Sequence, residues 1–118
     1  MANEHVDVPI VGAGYHLQRD CPRRSCVILE GREDIGGTWD LFRYPGIRSD
    51  SDMYTLGYAF RPWTGEKAIA DGSSILAYLR ETARACAIDR KIHFGCRVKR
   101  ATWSSQTAQW TVEAERGD

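Results

Sequence analysis

The residues best suited to binding chemistry lie in one stretch, 36–50, which reads GGTWDLFRYPGIRSD. Gly36 and Gly37 can adopt backbone angles that other residues resist, and they let the main chain approach a ligand closely. Arg48 and Asp50 place a cation and a carboxylate two residues apart, so in an extended segment both side chains would point to one side. We interpret the stretch as a binding loop.

A glycine-rich turn near the start of the chain is a second candidate. Residues 6–11 form a short β-branched run that predicts a buried strand, and Gly12 and Gly14 follow it. In a dinucleotide-binding fold, such glycines let a pyrophosphate sit at the amino end of the next helix. Glu30 directly follows the second predicted strand, residues 25–29, near the spacing at which a carboxylate accepts from a ribose hydroxyl. A plain strand-to-helix turn and an exposed strand-end glutamate are the alternatives.

Three motifs in order, GGTW at 36–39, RYPGIRSD at 43–50 and FRPW at 60–63, resemble the flavin-dependent monooxygenases of the flavin-containing and Baeyer-Villiger type. The resemblance extends over nearly all of this chain and roughly the first quarter of such an enzyme. It implies an α/β fold, a partial Rossmann-like FAD-binding domain with β/β/α layers over residues 1–118. It also implies FAD and NADPH as cofactors, and an oxidoreductase that uses O2 to oxygenate a nitrogen, sulfur or ketone substrate.

The resemblance implies cofactor contacts for residues spread along the chain. In the loop at 36–39, the residues would pack against the flavin and its ribityl phosphate, with backbone N–H groups as donors. The alternative for this loop is an irregular connection that Trp39 and Tyr44 hold on the core. The full implied cofactor-binding set is Gly12, Gly14, Glu30, Gly36, Gly37, Thr38, Trp39, Arg48, Asp50 and Val98.

Three of these residues have competing interpretations. Asp50 is the implied catalytic residue, since its counterpart lies near the flavin ring and orients an arginine that a later part of the protein supplies. It could equally cap a helix that begins after it, because short acceptors favour that position. Arg48 would contact phosphate or nicotinamide, or form a surface ion pair. Val98 would contact adenine through its backbone, or be an ordinary core valine.

The region after Gly14 departs from the family pattern. Leu17 occupies the position of the third glycine, and only residues 15–21 separate Gly14 from Pro22. About seven residues are missing here, and a helix of the seven that remain spans only roughly 10 Å. Pro9 falls inside the first predicted strand, where proline removes a ladder donor. We therefore expect FAD binding to be weak or absent.

Later segments predict regular packing elements. A helix capped by Ser73 or Ser74 is indicated by apolar residues at three- and four-residue intervals from Ile75 onward. Residues 96–115 predict a β-hairpin joined at 104–107. Together with the first two strands, these patterns predict three parallel strands or fewer, plus a C-terminal hairpin.

Composition excludes several classes of protein. Sixteen basic and sixteen acidic residues give no net charge, so nothing indicates binding to nucleic acid. No apolar run is long enough to span a bilayer, and the polar start lacks the pattern of a secretion leader, which favours the cytoplasm. Four cysteines and three histidines show no metal-site spacing, so we expect no metal and free thiols.

The chain lacks a second glycine-rich fold for NADPH and a substrate domain. We therefore predict the FAD-binding amino-terminal portion of a monooxygenase that is inactive by itself and needs downstream domains. The alternative is a truncated nucleotide- or FAD-binding module without catalysis, or a non-functional remnant.

Overall fold

The computed structural model describes residues 5–11 and 15–117. The chain divides into two compact units. The sheet unit comprises Met1–Glu33 and Cys86–Asp118, and the helix unit comprises Asp34–Ala85. Gly12 and Gly14 lie outside the described residues, and a single FAD-binding domain over residues 1–118 stays a prediction.

The sheet unit contains a three-stranded parallel sheet. Its strands are β1 (Val8–Val11), β2 (Cys26–Leu29) and β3 (Ile92–His93), in the order β1-β2-β3. The buried Ile28 of β2 pairs with Ile10 on one side and with Ile92 on the other. The prediction of three parallel strands or fewer is confirmed for the described residues, although β1 begins at Val8 and not at residue 6.

Pro9 lies within β1 without removing a hydrogen bond to β2. The Val8 N–H donates to the Ser25 carbonyl at 3.1 Å. Because alternate residues of a parallel strand direct their backbone groups to the same neighbour, the nitrogen of Pro9 faces away from β2. In the described sheet β1 is an edge strand, which is where proline is tolerated.

The short helical connection that the sequence predicts between β1 and β2, here called the crossover, is present. Helix α1 spans Tyr15–Asp20, six residues, and includes Leu17 at the position of the third glycine. Such a helix is about 9 Å long. The Gln18 amide donates to the Cys86 carbonyl at 2.6 Å, which fixes α1 to the segment that leads toward β3. The helix is therefore held by a tertiary contact in addition to its own backbone bonds.

The predicted hairpin is confirmed, with its turn one residue later than expected. Strand β4 spans Cys96–Ser104 and β5 spans Gln109–Arg116, so the turn occupies 105–108. Ala108 takes a left-handed conformation, with φ 52°, and Ser104 still pairs with Gln109. The left-handed residue closes the turn and moves it beyond Ser104.

The helix unit contains α2 (Thr38–Leu41), α3 (Met53–Leu56) and α4 (Gly72–Ala85). Its buried core consists of Met53, Ala70 and Ile75, against which pack Trp39, Trp63 and Leu79. The amphipathic helix predicted from Ser73 onward is α4.

The helix α4 begins two or three residues earlier than a cap at Ser73 or Ser74 predicts. The helix begins at Gly72, and neither Ser73 nor Ser74 precedes it. Both hydroxyls instead donate to the Asp71 carboxylate, at 2.8 and 2.5 Å. A carboxylate before the first turn is also a favourable neighbour for the exposed N–H groups there.

Candidate functional site

The two adjacent glycines of the loop have the backbone angles that the sequence predicts. Gly36 has φ 126° and Gly37 has φ 52°, both in the region that disfavours other residues. A Cβ on Gly36 would overlap the Leu76 side chain, whereas a Cβ on Gly37 would meet nothing within 4 Å. The backbone is therefore packed against α4 at Gly36 and open at Gly37.

Two backbone donors of this loop are available to a ligand. Trp39 N–H donates to the Gly36 carbonyl at 3.0 Å, and Asp40 N–H donates to the Gly37 carbonyl at 3.2 Å. Within the described residues, the N–H groups of Gly37 and Thr38 have no such acceptor. An incoming oxygen atom could therefore accept from these two groups.

The side chain of Trp39 supports one half of the alternative interpretation of this loop. Trp39 packs against the core of the helix unit, as that interpretation requires. Tyr44, the other proposed anchor, is 61% exposed and does not hold the loop on the core. The loop is therefore anchored at its start and free of the core near Tyr44.

Arg48 and Asp50 are both exposed, on either side of Ser49 in the sequence. Ser49 between them is only 2% exposed. Its N–H donates to the Ala70 carbonyl at 2.8 Å, and its hydroxyl accepts from the Ala70 N–H at 3.1 Å. Arg48 forms an antiparallel bridge with Asp71 through the backbone. Ser49 thus anchors the backbone of the segment that carries both charged residues.

The interpretation of Asp50 as a helix cap is wrong. Helix α3 is capped by Asp52, whose carboxylate accepts from the Tyr54 N–H at 2.8 Å. Only Asp52 is close enough in sequence to reach the free donors of the first turn beginning at Met53. The catalytic role of Asp50 stays a prediction.

Arg48 also lacks the surface ion pair of its alternative interpretation. Along residues 5–11 and 15–117, the Arg48 guanidinium forms no ion pair or hydrogen bond. It lines an open cavity of about 580 Å³ in the helix unit. The other lining residues are Trp39, Phe42, Arg43, Gly46, Ile47, Lys67, Ile69, Asp71, Gly72, Ser73 and Leu76.

The cavity has an excess of positive charge. Arg43 is paired with Asp40 at 2.6 Å. The Asp71 carboxylate is engaged by Ser74 and Ser73, whose hydroxyls hold its pKa below the ordinary value. Among the residues that the structure describes, Lys67, like Arg48, has no ion-pair partner. The lining thus has three cations, Arg43, Arg48 and Lys67, against the one carboxylate of Asp71, and with its apolar side chains it is suited to an anionic ligand with a planar or apolar body.

The sequence predicted Trp39 and Arg48 as cofactor-binding residues, and both line the cavity. Asp50, Gly37 and Thr38 do not line it. Lys67 and Asp71 were missed, because they are far from Arg48 in sequence and reach the cavity through the Arg48–Asp71 bridge. No local spacing in the sequence reports such a bridge.

The FRPW motif is joined to α4 by hydrogen bonds. Arg61 donates to the Thr82 hydroxyl at 2.8 Å, and its carbonyl accepts from the Tyr78 hydroxyl at 2.6 Å. The same Tyr78 oxygen accepts from the Tyr58 N–H at 2.9 Å. Helix α4 therefore positions this motif with polar contacts in addition to packing.

In the sheet unit, Glu30 lies directly after β2. Its carboxylate accepts from the Arg32 N–H at 2.9 Å, and its backbone N–H donates to the His93 carbonyl at 3.0 Å. One oxygen of the carboxylate therefore stabilises the turn after the strand. Val98 is half-buried on β4 opposite Ala114. The cofactor roles of Glu30 and Val98 stay predictions.

Among the described residues, no cluster of His, Cys, Asp and Glu side chains is arranged to hold a metal ion. None of the helices that the structure describes is long and apolar enough to cross a membrane.

The chain is similar to curated flavoproteins. It is 59% identical over 119 aligned positions to the FAD-containing monooxygenase EthA of Mycobacterium tuberculosis, covering 95% of this chain and 24% of that protein. It is 50% identical to the probable FAD-binding monooxygenase AlmA of Acinetobacter baylyi, with the same coverage. The chain thus spans about a quarter of the length of these relatives. An alignment of 119 positions exceeds the 118 residues of the chain, so the relatives carry residues that this chain lacks.

A solved structure has the same fold. A steroid monooxygenase bound to NADP superposes with a TM-score of 0.85 and 30% identity, covering 96% of this chain and 24% of its own. No family model matches the sequence. The α/β fold with parallel and antiparallel sheets is thus shared with a monooxygenase of known structure.

Proposed function

We propose that the chain, which belongs to the FAD-containing monooxygenase family, is the amino-terminal FAD-binding portion of such an enzyme. It corresponds to 24% of the length of its curated relative. The parent enzyme would use NADPH and O2 to oxygenate a nitrogen, sulfur or ketone substrate. The observation that carries the proposal is the 59% identity that extends along 95% of the chain. We further propose a cytoplasmic location and dependence on the domains that the remaining three quarters of its relatives contain.

The geometry of the helix unit fits a bound cofactor. The side of Gly37 that a Cβ would occupy is open, and the adjacent N–H groups of Gly37 and Thr38 can donate to an acceptor. These two residues would hold an oxygen of FAD, with Gly36 and Trp39 fixing the loop behind them. Arg48 would supply positive charge to a phosphate or to the nicotinamide cofactor.

In the sheet unit, the proposed cofactor residues are Gly12, Gly14, Glu30 and Val98. Glu30 has one carboxylate oxygen engaged by Arg32, which leaves the other as an acceptor for a ribose hydroxyl. The six-residue α1 is the feature that counts against tight binding, because the crossover has little length in which to position a pyrophosphate.

Bound FAD supplies the redox chemistry of the parent reaction, in which one atom of O2 enters the substrate and the other leaves as water. The residues of this chain would bind the cofactor and orient the groups around it. Asp50, held exposed by the burial of Ser49, would accept hydrogen bonds from an arginine of a later domain and so fix its position. Such orientation by a carboxylate is a common use of a charged pair at a binding site.

The test is a titration of the 118-residue chain with FAD, followed by flavin fluorescence and visible absorption. A second version carries the residues that the EthA sequence has after the position of Gly14. We expect a dissociation constant above about a micromolar for the chain as it is, and tighter binding by the restored version.

Each outcome is informative. Binding by the restored version alone confirms the proposal and assigns the defect to the crossover. Tight binding by both versions shows that the short α1 suffices. If neither version binds FAD while both give the circular dichroism of a folded α/β protein, the proposal is wrong and a remnant without cofactor binding is the better interpretation.

A further inference from the structure

Arg80 on α4 contacts both ends of the loop that contains the two adjacent glycines. Its guanidinium donates to the Asp34 carboxylate at 2.8 Å and to the Asp40 carboxylate at 3.5 Å. Asp34 lies before the glycines in the sequence, and Asp40 lies after them. One side chain of α4 therefore joins the segment that enters the loop to the segment that leaves it.

At the entering end, the Asp34 carboxylate has a separate donor for each of its oxygens. Its Oδ1 accepts from the Ile35 N–H at 2.7 Å, and its Oδ2 accepts from Arg80. The first bond fixes the carboxylate to the backbone directly before the glycines, and the second fixes it to α4. The position at which the loop begins is thus defined by the helix.

At the leaving end, the Asp40 side chain is only 10% exposed. It accepts from Arg43 at 2.6 Å as well as from Arg80. The Asp40 N–H donates to the Gly37 carbonyl at 3.2 Å, so this residue is also bonded to the loop itself. The contact with Arg43 is local in sequence, whereas Arg80 ties this end of the loop to α4.

Leu76, one helical turn before Arg80, contacts the middle of the same loop. The buried Leu76 side chain fills the position that a Cβ of Gly36 would take. Because residues four apart lie on one face of a helix, Leu76 and Arg80 belong to the same face of α4. The loop is therefore held by an apolar contact at its glycine and by charged contacts at both ends.

We propose that Arg80 is a positioning residue for cofactor binding. It holds residues 35–39 in the conformation that leaves the N–H groups of Gly37 and Thr38 available to an acceptor. This inference rests on the proposed function, in which these two groups hold an oxygen of FAD. A loop that is fixed in its bound conformation beforehand loses less conformational entropy on binding, so Arg80 raises the affinity without touching FAD.

Substitution of Arg80 should have a moderate effect on affinity. The side chains of Arg80 and Asp34 are 43% and 53% exposed, and ion pairs at such positions are weak. Arg80→Met keeps an apolar stem and removes the charge, and it should raise the dissociation constant for FAD about threefold to fivefold. Arg84→Met is the matched control. Arg84 is exposed one turn further along α4 and has no ion pair within the described part of the chain, so its loss should leave the affinity unchanged.

Asp34→Asn separates positioning from a simple effect of charge. If Arg80 acted only by attracting the anionic cofactor, removal of the Asp34 carboxylate would strengthen FAD binding. Positioning predicts weaker binding for Asp34→Asn. Because both substitutions break the same contact, the double variant should bind no more weakly than Arg80→Met alone.

The test combines two measurements on the 118-residue chain and on the version with the restored crossover. Titration with FAD gives the dissociation constants. Amide hydrogen exchange followed by NMR gives the local stability of the loop without ligand. Arg80→Met should speed exchange of the Trp39 and Asp40 amides, which are bonded within the loop, about threefold to fivefold. The amides of β2 should keep their protection, which a general loss of stability would not allow.

The outcomes distinguish this proposal from the proposed function. Weaker binding and faster loop exchange in Arg80→Met, with Arg84→Met like wild type, support the proposal. If neither unsubstituted version binds FAD, the proposed function is wrong, and the assignment of Arg80 to cofactor binding is wrong with it. If FAD binds, an affinity or a loop exchange rate that Arg80→Met leaves unchanged overturns the Arg80 proposal alone. Tighter binding by Asp34→Asn, or an equal effect of Arg84→Met, does the same.

Discussion

At the scale of single residues, small polar side chains determine the geometry of the binding loop. Ser49 is buried, and its two bonds to Ala70 anchor the backbone between the exposed Arg48 and Asp50. Asp52, not Asp50, satisfies the first turn of α3. Asp50 is therefore left without a structural role as a cap, which is the arrangement expected of a carboxylate available to another group.

Alanine substitutions separate the roles of the two carboxylates. Asp52→Ala should lower the free energy of unfolding by about 1 kcal/mol, because the Tyr54 N–H loses its acceptor. Asp50→Ala should change it by less than about 0.5 kcal/mol, as for other exposed positions. Urea unfolding followed by circular dichroism measures both. Equal losses for the two variants would contradict the assignment of the cap to Asp52.

At the scale of elements, a pair of side chains joins the beginnings of β1 and β2. The Asp7 carboxylate accepts from the Ser25 N–H at 2.7 Å and from its hydroxyl at 3.0 Å. The Asp7 N–H donates back to that hydroxyl oxygen at 2.9 Å. These bonds align the two strands at their starts, one residue before the register in which Val8 pairs with Cys26.

The contact between Asp7 and Ser25 should make stability depend on pH. The Ser25 N–H, its hydroxyl and nearby Arg24 hold the Asp7 pKa below its ordinary value of 3.8. A carboxylate whose pKa is lowered by folding stabilises the protein at pH values above 3.8, and this contribution is lost as the pH falls through the lowered pKa. Asp7→Asn should therefore be less stable than wild type at pH 7 and converge with it in strong acid.

Urea unfolding at a series of pH values measures this difference. Ser25→Ala is the control, because it removes the hydroxyl donor and keeps the backbone donor. It should give a smaller loss at pH 7 than Asp7→Asn and a weaker pH dependence of stability than wild type, because only the backbone donor then lowers the Asp7 pKa. A wild-type advantage that is constant between neutral and strongly acidic pH would show that the Asp7 charge does not contribute.

At the scale of the whole molecule, the buried core is small for a chain of 118 residues. In the part of the chain that the structure describes, the buried apolar residues are Ile28, Met53, Ala70, Ile75, Leu76, Ile88 and Cys96. Large aromatic residues are exposed, among them Trp110 and Tyr44. Exposed apolar side chains of this size form surfaces that further protein can cover.

We expect the free energy of unfolding of the chain to be about 5 kcal/mol or less, at the lower end for single domains. Ligand that binds only the folded state raises this value by about 2.7 kcal/mol at a hundred times its dissociation constant. At the same FAD concentration, the urea midpoint of the version with a restored crossover should therefore shift more than that of the chain itself. An equal shift in both versions would show that the length of α1 does not limit binding.

Local patterns in the sequence were sufficient for the elements whose determinants are close together along the chain. The amphipathic spacing from Ile75 onward predicted α4, the strand patterns predicted the hairpin, and the short span before Pro22 predicted a short α1. Gly36 and Gly37 likewise have the positive φ angles that two adjacent glycines indicated. In each case the physical cause, periodicity or backbone freedom, lies within a few residues.

The tertiary structure decided everything that depends on residues distant in sequence. The cavity beside Arg48 exists because its backbone bridges Asp71 and brings Lys67 to the same wall. Pro9 is tolerated because the register of β1 on β2 turns its nitrogen outward. Strand pairing and cavity walls arise from contacts between segments that no local spacing connects. By itself, the sequence therefore determined the elements and the family resemblance, and the fold determined which charged groups share a surface and which way the nitrogen of Pro9 faces.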